Sequence, residues 1–507
     1  MRRKVSIYEA LEREVHKLIK RHNRSIANSV LDRKRYERRS GIPGDKKKSH
    51  YPIQWRLDPH FNPYHVRSRL DSFAHAISRK IARLEYRPDP TLLLSIPKPG
   101  GGERKISISS IPDAAVSYWL GKRLIDRNAY RFSSYSYAYR EDRNAHHALE
   151  HLMTSIRNKQ RVYILEYDFA KYFDSIRHEY LWDILSKYFL ITNREFQLLK
   201  DIVTNRQARS VEDYENSIFY PREIGIPQGS NVSLFLANVA CYELDREIEQ
   251  VGVTFARYAD DTLVICESYD KANKCAKLLF AHGDRSGTRI NFRKSPGISL
   301  LTFAKNTEIQ SKQSVVYLSH ELSSRGIAIS DKAIKKMKRR IAIIIYNNLL
   351  LQPKRSSFNP KRVGLGYHDW DLVTCINEIR RYVYGRISEN SLDAGLSGTE
   401  KVNTTLCAMS FYPTVDKSMD GNIRALDGWL VDTLHRAYKK RCKLLRELGV
   451  GAVPIERDRI ISGDWYSYDR ISVETRLPSF YRAWLYVKKA SEIYGLEKFP
   501  SPAYDYI

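Results

Sequence analysis

The stretch RYADDTLVI, residues 257–265, sets two aspartates side by side between an aromatic flank and an apolar run typical of a buried strand. Adjacent carboxylates repel each other, and burying either of them unpaired costs several kcal/mol. A chain tolerates such a pair where a cation can approach both carboxylates. We therefore expect a β-hairpin over residues 254–268, with Asp260 and Asp261 at its turn beside a cation.

A second acidic residue ends another strand pattern. In LEYDFAKYFDSI, Asp168 follows an apolar strand that turns into a helix, a position at which a metal ligand is held rigidly. If this strand neighbours the hairpin, three carboxylates converge on one small volume. Oxygen ligands of this kind suit Mg²⁺, with Mn²⁺ as a substitute, and Mg²⁺ also takes oxygens from a substrate triphosphate. Two such ions, about 3.5–4 Å apart, would activate an attacking hydroxyl and stabilise a leaving pyrophosphate.

The net charge bears on the partner of the chain. Lys and Arg number 85 against 58 Asp and Glu, which leaves a net charge of +27. Such an excess favours a polyanionic partner, commonly nucleic acid, although charge alone fits a merely basic soluble protein equally well.

The six cysteines form no CxxC pair and no zinc-like spacing with histidine, which indicates reduced thiols of a cytosolic protein. We expect neither a signal peptide nor a membrane span, and no membrane partner.

Composition divides the chain into three parts. Residues 1–89 form a basic, helical N-terminal extension, residues 90–325 alternate strand and helix patterns, and residues 326–507 are rich in helix patterns. We predict an α+β fold with an antiparallel sheet, followed by an all-α C-terminal domain that degenerate helical repeats could build. Within the extension, apolar residues at steps of three and four predict a single amphipathic helix. These residues are Val66, Leu70, Phe73, Ile77, Ile81 and Leu84.

Further motifs accompany the two acidic turns. TLLLSIPKPGGGERKISISS predicts a hairpin whose glycine-rich tip is flanked by Lys98 and Arg104. The set resembles the fingers and palm of reverse transcriptases. YADD resembles the YxDD box, YDFAKYFD the first aspartate motif, IPKPGGGERKISI the fingers motif, and GIPQGSNVSLFLAN (225–238) the PQG box of the bacterial enzymes. SYAYREDRNAHHAL (136–149) and RINFRKS (289–295) resemble two further motifs. The resemblance covers about residues 90–325 and implies a right-hand polymerase-like fold.

The resemblance implies roles for the acidic and aromatic residues of the palm. Asp168 and Asp260 would be the primary metal ligands, and Asp261 would assist them. Phe173 lies five residues after Asp168, at the position of the family's steric gate. The resemblance therefore implies that deoxynucleoside triphosphates (dNTPs) are preferred to ribonucleotides, with ordinary core packing as the alternative role for Phe173.

Four further residues match positions that bind the nucleotide in the family. Lys98 and Arg104 would clamp the triphosphate, for which charge-assisted contacts are suited; an exposed basic hairpin is the alternative. Gln228 of the PQG box would help to form the nucleotide and template pocket. Lys294 could protonate the departing pyrophosphate, and an ordinary surface lysine is the competing interpretation.

Departures from the better-known branches favour one subfamily. The VTG triplet of retron enzymes is not found, and Asn231-Val232-Ser233 stand where group II intron enzymes usually read PLSP. The primer-grip motif is present only as VVYLSHELS (315–323), and a helical region replaces a recognisable thumb. This architecture resembles the abortive-infection (Abi) phage-defence reverse transcriptases of the AbiK type, and we expect a prophage-borne member.

That resemblance implies DNA synthesis from dNTPs without a template, primed by a tyrosine of the protein itself. The partners implied are a single-stranded DNA product, attached covalently, and further copies of the chain in a homo-oligomer, expected to be a trimer or hexamer in the bacterial cytoplasm. Tyr8 and Tyr36, in the basic N-terminal region, are the candidate primers among 34 tyrosines. Packing or a surface role is the simpler explanation for each.

Two other functions fit the same residues. One is a templated RNA-directed DNA polymerase of retron or group II intron descent, bound to a structured RNA. The other is a nucleic-acid-binding scaffold that has kept the palm and lost catalysis. Synthesis without added nucleic acid separates the first from the Abi interpretation, and an Asp260→Asn substitution separates the scaffold from both enzymes.

Overall fold

The computed structural model describes residues 5–45, 51–97, 101–364, 368–466 and 473–500. The α+β fold predicted from the sequence is confirmed, because three β-sheets lie within residues 91–329 and a helical region follows them. The strands are β1 (Thr91–Pro97), β2 (Glu103–Ile108), β3 (Arg161–Tyr167), β4 (Gln207–Ala208), β5 (Thr254–Tyr258), β6 (Asp261–Cys266), β7 (Gly297–Thr302), β8 (Ser311–Lys312), β9 (Val315–Tyr317), β10 (His320–Ser323) and β11 (Gly326–Ile329).

Helices flank these strands and build the rest of the described chain. They are α1 (Ile7–Ser40), α2 (Gln54–Leu57), α3 (Pro63–Arg67), α4 (Leu70–Ala82), α5 (Ile111–Asn128), α6 (Ala145–Ile156), α7 (Tyr172–Ser175), α8 (His178–Tyr188), α9 (Asn193–Val203), α10 (Val211–Glu215), α11 (Asn231–Ala240), α12 (Tyr242–Val251), α13 (Tyr269–Ser286), α14 (Asp331–Ile345), α15 (Leu351–Lys354), α16 (Trp370–Tyr384), α17 (Glu389–Ser397), α18 (Gly421–Glu447), α19 (Arg457–Ser462) and α20 (Phe480–Tyr494). In the described part of the chain, no helix combines the length and the apolar composition needed to cross a membrane.

The central sheet has five strands in the order β5-β6-β3-β7-β8. Strand β3 lies in the middle and is antiparallel to both β6 and β7. Helix α13 packs against β3, β6 and β7, while α6 packs against β5 and β6. Both faces of the sheet are therefore covered, which explains why β6 reads as a continuous apolar run rather than an alternating one.

Two smaller sheets flank the central one. The predicted hairpin forms as β1 and β2, with β4 added parallel to β1. The segment that resembles the primer grip forms β9 and β10, joined by a two-residue turn at Leu318 and Ser319, whose φ angles are 47° and 66°. The Tyr317 hydroxyl donates to the carbonyl oxygens of Ala256 (3.0 Å) and Asp261 (3.2 Å). This sheet is thereby attached to the hairpin that carries the paired aspartates.

The described residues from Asp331 to Pro500 form helices α14–α20, short 3₁₀ turns and one π-helical turn, and the β pairing among them is confined to an isolated bridge. Their packing includes a buried charged cluster, in which the fully buried Arg441 contacts Asp369 at 2.7 Å and Asp371 at 3.0 Å. The C-terminal region is thus helical, as predicted.

Helix α1 joins the two halves of the molecule. Its N-terminus is closed by a capping box between Ser6 and Glu9, and its first turns pack against α5. At the other end, Arg39 Nη1 donates to the Asn347 carbonyl oxygen at 3.0 Å, in the helical C-terminal region. With 34 residues and a rise of about 1.5 Å per residue, the helix spans roughly 50 Å.

The prediction of a single amphipathic helix over Val66–Leu84 is wrong. The structure has two helices there, α3 and α4, because the chain leaves helical geometry at Arg69 (φ −134°, ψ 28°). Ser68 at the break donates its hydroxyl to the His65 carbonyl oxygen at 2.8 Å, a local bond that competes with helix propagation. Leu84, the last predicted apolar position, is 50% exposed.

Candidate active site

The hairpin that carries the paired aspartates has a two-residue turn. Tyr258 of β5 pairs with Asp261 of β6, so Ala259 and Asp260 form the turn itself. Asp260 therefore lies at the turn as predicted, whereas Asp261 is the first residue of β6. The five residues of β6 that follow Asp261 are buried, and they anchor the turn to the core.

Strand β3 brings Asp168 to the same end of the sheet. Tyr167 of β3 pairs with Thr262 of β6, so Asp168 and Asp261 are the next residues in this antiparallel register. Asp168 follows the last pair of the ladder, and its carboxylate acts electrostatically on that of Asp261. The 289–295 segment holds Asp168 in place, because Asn291 N donates to its carbonyl oxygen (2.8 Å) and its own N donates to Ser295 Oγ (3.0 Å).

The electrostatics of the site reflect this crowding of carboxylates. Burial, with a smaller contribution from the nearby Asp168, raises the pKa of Asp260 to about 6 against the lowering effects of Lys294 and Arg104. Burial also raises the pKa of Asp261 to about 7, with added repulsion from Asp260 and Asp168. Three acidic groups thus interact with one another at one end of the central sheet.

The site provides only part of a metal coordination sphere. Among the described residues, no group of three acidic, His or Cys side chains is arranged to hold a metal ion by itself. The three repelling carboxylates nevertheless suit a hard divalent cation, because Mg²⁺ is commonly held by one or two carboxylates and completes its shell with water and substrate phosphates. Residues and cation therefore fit if the substrate supplies the remaining ligands.

Lys294 lies beside these carboxylates. Its Nζ is 3.3 Å from Asp168 Oδ2, and its side chain is 69% exposed. The same carboxylate oxygen accepts a hydrogen bond from Asn291 Nδ2 at 3.3 Å. The lysine can therefore move toward a phosphate group without breaking a buried contact.

A cleft lies near Asp260: the aspartates do not line it, but Arg104, one of its lining residues, acts electrostatically on the Asp260 carboxylate. Its lining includes Arg104 of β2, Phe173 of α7, Gln228 of the PQG segment, and Lys17 of α1. The structure thus gathers three of the predicted nucleotide-binding residues around one space. Of the other two, Lys294 is not among the residues that line this cleft, and Lys98 lies outside the described residues.

The PQG segment joins the two walls of this cleft through its backbone. Gln228 O accepts from Ser107 N of β2 at 2.8 Å, and Ile226 N donates to Phe173 O of α7 at 2.7 Å. Gly229 has φ 110°, and a Cβ there would lie 2.9 Å from Ser107 O. Glycine is therefore required where the segment crosses β2.

Phe173 forms one wall of the cleft and is 6% exposed. Its ring packs edge-on against Tyr172, with ring centroids 5.8 Å apart. The Tyr172 hydroxyl donates to Ala237 O at 2.6 Å, which fixes the ring behind Phe173. The side chain of Phe173 is therefore rigid, and it serves core packing as well as the cleft.

Two residues of the site were missed by the sequence analysis. Lys17 belongs to a basic cluster in the N-terminal extension, but its spacing gives no sign that α1 reaches the cleft. Arg257 directly precedes the YADD motif; it is fully buried and contacts Asp245 through Nε (2.7 Å) and Nη2 (2.6 Å). An arginine within an apolar strand was the available signal, since such a charge needs a buried partner.

Both candidate priming tyrosines lie on α1. Tyr8 is 38% exposed, and Tyr36 is half-buried. Along the helix they stand about 14 Å before and about 29 Å after Lys17, at 1.5 Å per residue. The structure therefore does not bring Tyr36 near the cleft that Lys17 lines.

Comparison with known families agrees with this geometry. Residues 96–322 match the family model described as reverse transcriptase (RNA-dependent DNA polymerase). This segment is a reverse transcriptase domain. The domain includes the three aspartates and every predicted nucleotide-binding residue, whereas Lys17 lies outside it.

The curated relatives match about a third of this chain. An "uncharacterized 91 kDa protein in cob intron" of Schizosaccharomyces pombe is 31% identical over 173 residues, which are 34% of this chain and 20% of the relative. Protein YkfC of Escherichia coli is 25% identical over 32% of this chain and 42% of its own length. A "putative COX1/OXI3 intron 1 protein" of Saccharomyces cerevisiae is 24% identical over 35% of this chain and 20% of its own length. The matches thus span a fifth to about two-fifths of these relatives.

Telomerase structures are among the similar solved folds. The telomerase of Candida albicans, in complex with a TWJ fragment of telomeric RNA, covers 76% of this chain and 66% of its own, with 12% identity and a TM-score of 0.38. The apo telomerase of Candida tropicalis, truncated from the C-terminal domain, covers 52% and 60%, with 13% identity and a TM-score of 0.37.

Proposed function

We propose that this protein is a DNA polymerase of the reverse transcriptase type, which joins dNTPs to a hydroxyl group and releases pyrophosphate. The convergence of Asp168, Asp260 and Asp261 beside the cleft supports this proposal most directly. Divalent ions bound by these carboxylates would activate the attacking hydroxyl and neutralise the leaving pyrophosphate.

The residues around the cleft have separate tasks in this mechanism. Arg104 orients the triphosphate by charge-assisted hydrogen bonds. Phe173 excludes a ribose 2′-hydroxyl, and Gln228 supports the base from the opposite wall. Lys294, beside Asp168, donates a proton to the departing pyrophosphate.

We further propose that synthesis is template-independent, primed by a tyrosine of the protein, and serves abortive-infection defence in a bacterial homo-oligomer. The departures at Asn231-Val232-Ser233 and the helical region in place of a thumb support this form. The product would be single-stranded DNA attached to the protein, with Tyr8 as the nearer of the two candidate primers to the cleft.

A templated RNA-directed DNA polymerase is the second candidate function. The similarity to two proteins named after introns favours it. A structured RNA would then be the partner, and the cleft would hold a template base beside the incoming nucleotide.

The decisive experiment supplies purified protein with radiolabelled dNTPs and Mg²⁺ in the absence of nucleic acid. A DNA ladder that migrates with the protein after denaturation supports template-independent, protein-primed synthesis. Synthesis that requires an added RNA template and primer supports the second candidate. If wild-type protein makes no DNA under either condition, the polymerase proposal fails; Asp260→Asn is the inactive control for both assays.

A further inference from the structure

A cluster of aromatic rings lies on the N-terminal extension, outside the reverse transcriptase domain. His22 of α1 stacks on Tyr51, with ring centroids 5.3 Å apart and planes at 29°. Trp55 of α2 lies 5.5 Å from Tyr51 and 5.9 Å from Tyr64 of α3. Trp55 is buried, but Tyr51 and Tyr64 are 53% and 38% exposed, so the buried ring supports two rings that face solvent.

Exposed cations neighbour these rings along the chain. Five exposed cations lie within three residues of one of the rings, and none of them forms an ion pair with a described acidic residue. They are Lys20, Arg21, Arg24, Arg56 and Arg67. The sequence has no acidic residue in 15–31 and only Asp58 in 51–70. We call the rings and these five cations the α1–α3 platform.

The α1 cations of the platform begin one helical turn after a residue that lines the cleft. Lys17, which lines the cleft, is followed on α1 by Lys20, Arg21 and Arg24 at steps of three and four residues. Residues at these steps share one helix face. A row of positive charge about 10 Å long, at 1.5 Å per residue, therefore runs along α1 from the cleft, past the turn that carries His22.

We propose that the α1–α3 platform binds single-stranded nucleic acid and leads it to the cleft. Exposed rings that accept unpaired bases, beside cations that contact phosphates, are the features by which proteins bind single strands. Cations that form no ion pair with a described acidic residue are also available to the phosphates of such a strand. The passage into the cleft rests on the proposed polymerase function, whereas binding to the platform does not.

The test measures binding of fluorescent dT15 and U15 oligonucleotides to the full-length chain by anisotropy. All proteins carry Asp260→Asn, so binding is measured without synthesis and a failure of the polymerase proposal does not affect the result. Tyr51→Ala/Tyr64→Ala should weaken binding about tenfold or more through lost stacking. Tyr51→Phe/Tyr64→Phe keeps the rings and should bind like the parent protein. Tyr130→Ala/Tyr269→Ala removes two other exposed rings and should also leave affinity unchanged.

The charge arm of the test uses a matched pair of triple variants. Lys20→Gln/Arg21→Gln/Arg24→Gln should reduce the slope of log affinity against log salt by about 2, because each phosphate contact on a single strand contributes about 0.7. Lys439→Gln/Lys440→Gln/Lys443→Gln removes the same charge from exposed positions on α18 and should leave the slope unchanged. Comparison of the loss of affinity for dT15 with that for U15 in the platform variants shows whether the platform prefers DNA or RNA.

Three results would overturn the proposal. The first is parental affinity of the Tyr51→Ala/Tyr64→Ala variant for both oligonucleotides, at an unchanged thermal midpoint. The second is an equal effect of the two triple variants. The third is a change of oligomeric state, with unchanged oligonucleotide binding, in the platform variants; this would assign the surface to contact between copies of the chain.

Discussion

Arg257 Nη1 donates a hydrogen bond to the Ala259 carbonyl oxygen at 3.0 Å, so a fully buried guanidinium holds the residue that precedes Asp260. Ala259 has φ 59°, a left-handed conformation that costs energy for a residue with a Cβ atom. The guanidinium also contacts Asp245, Asn238 and Ser136, on segments outside the hairpin. The position of a candidate metal ligand thus depends on a buried ion pair.

The Arg257–Asp245 pair predicts separable effects on stability and catalysis. Arg257→Met leaves the Asp245 carboxylate buried without a partner, and should lower the free energy of unfolding by about 3–5 kcal/mol. Arg257→Met/Asp245→Leu should be less destabilised, because no unpaired charge remains. The double variant still lacks the bond to Ala259, so we expect its kcat to fall more than its KM rises. Urea unfolding and steady-state dNTP incorporation measure both effects; a folded double variant with wild-type kcat would contradict the positioning role.

The raised pKa values of Asp260 (about 6) and Asp261 (about 7) predict the pH dependence of stability without metal. A carboxyl group whose pKa is higher in the folded than in the unfolded protein stabilises the fold most below about pH 4, and this contribution is lost as the pH rises through 6 and 7. In EDTA at pH 8, Asp260→Asn/Asp261→Asn should therefore be more stable than wild type, by about 1–3 kcal/mol. At pH 4 the difference should vanish. Chemical unfolding at both pH values tests this, and equal stability at pH 8 would refute the electrostatic argument.

Divalent metal should reverse that order of stability. The ligands must be deprotonated to bind, so the apparent affinity for Mg²⁺ should weaken as the pH falls from 8 to 6. At pH 8, Mg²⁺ should raise the thermal midpoint of wild-type protein and leave that of Asp260→Asn/Asp261→Asn unchanged. A shift of equal size in both proteins would place the bound metal elsewhere.

The position of Phe173 in the wall of the cleft predicts which sugar the incoming nucleotide must carry. Phe173→Val opens the wall of the cleft and should relax the preference for dNTPs over ribonucleotides by roughly tenfold to a hundredfold in kcat/KM. Tyr172→Phe loosens the support by removing the hydroxyl that donates to Ala237 O but keeps both rings, so it should relax the preference far less than Phe173→Val does. Incorporation kinetics with paired dNTP and ribonucleotide substrates measure the ratio. Unchanged discrimination in Phe173→Val would restrict this residue to packing.

Gly229 predicts a strict requirement for glycine in the PQG segment. Gly229→Ala places a Cβ 2.9 Å from Ser107 O at φ 110°, so it should destabilise the protein by more than about 1 kcal/mol and lower kcat/KM for dNTPs. Gly428 on α18 has open space around it, and Gly428→Ala should be neutral or stabilise by up to about 1 kcal/mol. Thermal unfolding of the two variants makes the comparison. Equal midpoints would show that the segment adjusts without strain.

The local elements around the site follow closely from the sequence. The apolar run after Asp261 forms β6, the pattern before Asp168 forms β3, and the glycine-rich tip of 91–110 joins β1 and β2. The prediction of one helix over Val66–Leu84 was wrong because the apolar spacing continues across a break in the backbone. At this break the Ser68 hydroxyl donates a hydrogen bond to the His65 carbonyl oxygen. The spacing of apolar residues indicates which face of a helix could be buried. It does not indicate whether the backbone stays helical from one turn to the next.

The sequence by itself determined the chemistry available to this protein: three aspartates at strand ends, a PQG segment, an aromatic residue five positions after the first aspartate, and a strongly basic chain. Only the tertiary structure decided that β3 pairs with β6 and so brings Asp168 to the end of the sheet that carries Asp261. It also decided that Arg257 contacts Asp245 and that α1 brings Lys17 into the cleft. Residue types and short spacings follow from local backbone preferences. Contacts between distant segments depend instead on which faces pack together and in which register, and no single stretch of sequence specifies that.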